Sequence, residues 1–199
     1  MHSKVVVFTL VLAMSACASA RIPVLNPNVP DNLKPGANES LAIAVAAEGV
    51  QIYECRPAKQ QTGGYEWAFV APEAALFDAN GKQIGKHYAG PHWEAADGSK
   101  IVGSVKQQAQ APRATAIPWL LLAAKSDGAP GSFSRITSVQ RVNTVGGVAP
   151  ETGCSESAVG TVARVPYAAD YYFFADRNEA TTQLKSNANS AVERSGTYY

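Results

Sequence analysis

Leu76-Phe77-Asp78-Ala79-Asn80-Gly81-Lys82 and Trp93-Glu94-Ala95-Ala96-Asp97-Gly98-Ser99-Lys100 repeat one pattern, with Gly81 and Gly98 placed 17 positions apart. Each closes on Asn-Gly or Asp-Gly. Those dipeptides supply the positive φ angles of a tight type I′ turn, so each stretch predicts a β-hairpin. Two hairpins at this spacing read as successive turns of one meander rather than as a solenoid repeat.

Strand patterns extend outward from both. Upstream, Leu41, Ile43 and Val45 alternate with alanine, and Glu48-Gly49 predicts a turn. Val50, Ile52 and Glu54 then face one way, and Gln51, Tyr53 and Cys55 the other. A polar loop spans 59–64. Residues 65–77 are aromatic and β-favouring, with Pro72 as an interruption. Downstream, the apolar run 116–124 fits a buried strand or a short buried helix, which periodicity cannot separate. Residues 133–142 alternate, a Gly/Pro loop over 143–153 delivers Cys154, and 159–174 closes on Tyr171-Tyr172-Phe173-Phe174. Short strands at close spacing, with little helical periodicity, predict an all-β domain. We expect an antiparallel β-sandwich or barrel of about 8–10 strands. It covers residues 39–175, between a Pro-rich leader at 21–38 and a polar tail at 176–199.

The first twenty residues predict export. Met1-His2-Ser3-Lys4 is a short basic start, residues 5–14 are apolar, and small side chains follow. That order is a secretory signal peptide over 1–20, and Ala18-Ser19-Ala20 fits an A-x-A cleavage site ahead of Arg21. A membrane-spanning helix needs about 20 apolar residues, roughly twice this run. Met14-Ser15-Ala16-Cys17 resembles a bacterial lipoprotein signal, which makes Cys17 a candidate lipidation site. That motif usually opens on Leu, so lipid anchoring and plain secretion both stay open. The expected location is extracytoplasmic, with the membrane reached only through such an anchor.

Without the signal peptide Cys55 and Cys154 remain, 99 positions apart. Two thiols in an oxidising compartment predict a disulfide. Of the 17 basic and 16 acidic residues only Lys4 lies in the signal, so the mature chain balances at 16 of each. Nucleic acid requires a basic footprint, and the balanced charge argues against such a partner.

The segments Tyr53-Glu54-Cys55, Leu76-Phe77-Asp78-Ala79-Asn80-Gly81, Gly85-Lys86-His87-Tyr88-Ala89-Gly90-Pro91, Ile117-Pro118-Trp119-Leu120, Arg141-Val142-Asn143-Thr144-Val145-Gly146-Gly147 and Val165-Pro166-Tyr167-Ala168-Ala169-Asp170-Tyr171-Tyr172 together resemble DUF3455, a bacterial and fungal family of unknown function. The resemblance runs from Tyr53 to Phe174. It implies an exported protein and no established activity. Some fungal relatives carry a malate dehydrogenase label, which finds no G-x-G-x-x-G and no βαβ pattern in this chain.

The chain has no nucleophile elbow, no P-loop and no H-E-x-x-H, and it implies no cofactor. Two residue groups are candidates for chemistry. His87 and His92, with Glu94 and Asp97, carry suitable groups for a divalent metal or for acid–base work. Residues 87 and 92 differ by an odd number, so on one regular strand they face opposite sides. Arg141 and Asn143, two apart on one expected strand face, combine with Asp170 either as a polar ligand site or, for Arg141 and Asp170, as a structural ion pair. Tyr53, Trp67, Trp93 and Trp119 are read as core. The favoured function is non-catalytic binding of a small molecule, a glycan or an envelope protein. The alternative is a small extracytoplasmic enzyme or metal-binding protein working through His87 and nearby carboxylates.

Overall fold

The computed structural model describes residue 23, residues 28–59 and residues 63–177. The expected signal peptide with Cys17, part of the leader, and the tail beyond 177 lie outside the described residues. Eight strands follow in chain order: β1 (Glu39–Pro57), β2 (Tyr65–Phe77), β3 (Gln83–Tyr88), β4 (His92–Ala95), β5 (Lys100–Ala109), β6 (Trp119–Ser126), β7 (Ile136–Gly146) and β8 (Val162–Asp176). Each pairs antiparallel with the next, and β8 returns to β1, so the sheet closes into an up-and-down barrel. Each described strand has a neighbour on both sides, although β2 before Ala74 and β5 beyond Gly103 extend past the short β3–β4 hairpin and pair on one side only. The ambiguous apolar run is a strand, β6.

The two hairpins form as expected but with a different turn. In the first, Asp78 N donates to Lys82 O (3.0 Å) and Gly81 N to Asp78 O (3.0 Å). In the second, Ala95 N donates to Ser99 O (2.9 Å) and Gly98 N to Ala95 O (3.0 Å). Only the glycines have positive φ, 75° at Gly81 and 82° at Gly98. A type I′ turn needs two such residues. Here a single left-handed glycine closes a type I turn with a bulge.

Two expected interruptions are absent. β1 runs straight through Glu48-Gly49, where a Cβ would collide with the Glu73 backbone carbonyl and Ala74 of β2. The glycine serves close strand approach rather than a turn. β2 likewise runs through Pro72, which pairs with Gln51 beside a register shift at Ile52/Tyr53. A bulge of this kind accommodates a residue that lacks an N–H.

Two apolar layers result. Val45, Leu76, Trp93, Ile101, Val139, Tyr171 and Phe173 fill the barrel. Trp119, Leu121, Val142, Tyr172 and Phe174 form a second cluster on the outer wall, and Leu33 covers them. Leu33 ends a short 3-10 turn, Asp31–Leu33, and is fully buried. Its carbonyl accepts from Gln140 Nε2 (2.7 Å), and Asn32 Nδ2 donates to Gln108 O (3.2 Å). This part of the leader is therefore a strap across the outer wall. Burying the Leu33 side chain there contributes about 2 kcal/mol.

Candidate functional site

The inner face of the wall is set by strand alternation. Gly49, Gln51 and Tyr53 continue inward from Ala47 along β1, and Tyr171 does so from Ala169 along β8. Toward the end of the barrel that holds Cys55 of β1, the packed interior gives way to a cavity of about 380 Å³. Trp93 and Leu122 are among the residues at its inner end, and Ile117 and Pro118 from the β5–β6 connection line another wall. Phe69, Val70 and Val105 also line it and are 55%, 44% and 58% exposed, which marks them as its mouth. An eight-stranded barrel has room for one small ligand when side chains leave one end unfilled.

The same end is braced by the β7–β8 connection. Cys55 and Cys154 form the expected disulfide. Beside it Cys55 N donates to Thr161 O (3.0 Å), Gly160 N to Cys55 O (2.9 Å) and Trp67 Nε1 to Thr152 O (2.9 Å). Tyr53 Oη donates to Gly147 O (2.6 Å), which fixes that phenol in the cavity wall. Burial pushes the Tyr53 and Tyr171 phenols up, and the nearby positive charge of Arg141 works against that rise.

Three further polar groups face the cavity. Gln51 is 2% exposed, and its amide nitrogen has no hydrogen-bond partner among the described residues. Such a buried donor costs about 1–3 kcal/mol while unsatisfied. Arg141 donates through Nε (3.2 Å) and Nη2 (2.9 Å) to the Pro118 carbonyl. Among the described residues no carboxylate pairs with its guanidinium. His87 is buried, with its ring stacked on Trp93 at 4.4 Å and edge-on to Tyr171 at 5.2 Å. Its Nδ1 lies 2.7 Å from the His92 carbonyl, which can only accept, so Nδ1 carries the proton. Burial pushes its pKa down to about 3, so the ring is neutral near pH 7 and Nε2 is left as an acceptor.

The structure separates the predicted histidine pair. His87 points inward beside its partner Trp93, whereas His92 lies on the next strand, paired with Tyr88 on the opposite face. The His92 ring nitrogens face Ala89 O (2.7 Å) and Asp127 Oδ2 (3.1 Å). Glu94 accepts from Tyr88 Oη (2.8 Å) and pairs with Lys86 Nζ (3.2 Å), contacts that hold its carboxyl below the usual range. Asp97 takes four hydrogen bonds from the backbone and hydroxyls of Ser99 and Ser132, which also lower its pKa. It ties the second hairpin to the β6–β7 connection. No group of three or more His, Cys, Asp or Glu side chains placed to hold a metal occurs among the described residues.

The Arg141–Asn143–Asp170 group also divides. Arg141 pairs in register with inward-facing Tyr171, whereas Asp170 stands opposite outward-facing Val142. Asn143 takes φ 51°, at the register shift between Val142 and Val145. Asn tolerates that left-handed geometry, and the bulge it makes breaks the strict alternation that placed Asn143 beside Arg141. Asn143 Nδ2 instead donates to Asp170 Oδ2 (2.7 Å), with Asp170 fully buried. Arg141 belongs with Gln51, Tyr53, His87 and Tyr171. Of these, Gln51, Tyr53 and Tyr171 were not site candidates from the sequence, although alternation did place Gln51 and Tyr53 on one strand face.

A family model described as "Protein of unknown function (DUF3455)" matches residues 35–175. The chain belongs to the DUF3455 family. The matched region contains all eight strands but for the last residue of β8, and every residue of the DUF3455 cavity lies inside it. No curated protein and no solved structure matches the chain. No described helix is long and apolar enough to cross a membrane.

Proposed function

We propose that this DUF3455 protein is an exported binding domain that takes one small, mainly apolar molecule into the open end of its barrel. The observation that carries the reading is the cavity itself: about 380 Å³, walled by aromatic and aliphatic side chains, with a few fixed polar groups. Ligand pockets have that size and that composition. The disulfide supports an oxidising compartment. The groups around His87 offer no carboxylate partner, so the observations favour binding over catalysis.

Binding is tested with an uncharged fluorescent naphthylamine probe. It should bind the full chain at one site with micromolar affinity, and Val105→Trp at the mouth should weaken it at least tenfold. Failure of the natural protein to bind this probe at 100 µM, under conditions where it is folded, overturns the reading.

Export has its own test. The intact mass of the chain isolated from its native host should correspond to a start at Arg21 or at a lipidated Cys17. A mass that retains Met1 removes the export half of the proposal.

A further inference from the structure

The cavity's electrostatics narrow the ligand class. Among the residues that line it Arg141 is the only ion, because His87 is neutral. The lining includes no acidic residue at all. A half-buried guanidinium facing an apolar chamber loses hydration, and no carboxylate among the described residues offsets that loss. Pro118 O occupies the Nε and Nη2 side of the group and the Tyr171 hydroxyl lies beside it, which still leaves other N–H donors of the guanidinium. Gln51, on a different strand, adds a buried amide donor with no acceptor among the described residues. A cation without a counter-ion and an amide donor without an acceptor among the described residues thus border one apolar space. Resting on the reading of the cavity as a ligand site, we propose that the ligand is an amphiphilic monocarboxylate, its carboxylate held by Arg141 and Gln51 and its apolar body lying against Trp93 and Leu122.

The geometry explains why a carboxylate is preferred to a neutral head. A guanidinium presents parallel N–H groups that match the two oxygens of one carboxylate, and charge assistance makes such bonds about twice as strong as neutral ones. An alcohol of equal length fills the same apolar volume but leaves the cation without a counter-ion. A cationic head places like charges together. The ordering among three heads on one tail is therefore carboxylate, then alcohol, then ammonium.

The test is calorimetric titration of the full chain with decanoate, decan-1-ol and decyltrimethylammonium at pH 7.5. Decanoate should bind at least tenfold more tightly than decan-1-ol, and the ammonium more weakly than either. Arg141→Met should weaken decanoate at least tenfold while leaving decan-1-ol within threefold, and Arg141→Lys should recover part of the loss. Gln51→Met should weaken decanoate severalfold. Equal affinity of the natural protein for decanoate and decan-1-ol overturns the carboxylate assignment and leaves the apolar-cavity reading intact. Binding of the naphthylamine probe without binding of decanoate does the same. The head-group comparison uses the unsubstituted protein, so it stands even if Arg141→Met fails to fold.

Discussion

Cys55→Ser/Cys154→Ser is expected to lower the melting temperature by about 10 °C, the size that chain entropy and domain length together imply. The bridge closes a loop of 99 residues. Removing it returns that loop's freedom to the unfolded state, worth up to about 4.7 kcal/mol in the chain-entropy treatment. Nearby backbone bonds, Cys55 N to Thr161 O and Gly160 N to Cys55 O, remain in the variant and retain part of the contact. Reduction of the natural protein should therefore reproduce the melting temperature of the double variant, and the same reductant should leave the double variant unmoved. A shift below about 2 °C in both experiments would mean that the β7–β8 connection is held by its hydrogen bonds alone.

Much of this architecture was legible in the sequence because strand alternation and turn chemistry are local. Leu41, Ile43 and Val45, the two Asn-Gly and Asp-Gly stretches and the closing aromatic run each announce themselves within a few residues. Local signals misled where tertiary contact decides. Gly49 looks like a turn residue, yet its missing side chain serves the approach of Glu73 and Ala74, residues more than twenty positions away. Asn143 looks like the strand-mate of Arg141 until its left-handed φ turns it outward toward Asp170. The cavity was beyond sequence reading for the same reason. The alternation groups Gln51 with Tyr53 and Cys55, but which face of a strand is inner depends on how the sheet closes. Closure also brings Arg141 to a wall shared with β1, a neighbourhood that no spacing along the chain encodes.

Trp93→Ala is expected to cost about 3–5 kcal/mol, the range for deleting a buried aromatic ring, out of a total stability on the order of 5–15 kcal/mol. Trp93 is 1% exposed and touches His87, Tyr171 and Phe173 with its ring. It also stands at the inner end of the cavity, so the deleted volume adds to the ligand space. Its indole N–H is buried without an acceptor among the described residues, which makes Trp93→Phe the informative control. Phe keeps an aromatic ring and removes the unsatisfied donor, so its cost should be less than half that of Ala.

The two variants should also differ in acid. The folded pKa of His87 is held down at about 3, below its ordinary value of 6.5. The unfolded chain therefore binds the proton first, and stability falls as pH drops below about 6.5 toward 3, by at most about 1.4 kcal/mol per pH unit from this group. Water entering the space left by Trp93→Ala would hydrate the imidazole, raise its folded pKa and flatten that dependence. Trp93→Phe, which keeps the ring stacked and dry, should retain it. The measurement is denaturant unfolding between pH 7.5 and 4.5 for the three proteins, with His87→Gln to isolate the histidine's share. Parallel pH curves for all four would show that His87 is not the group that makes this barrel acid-sensitive.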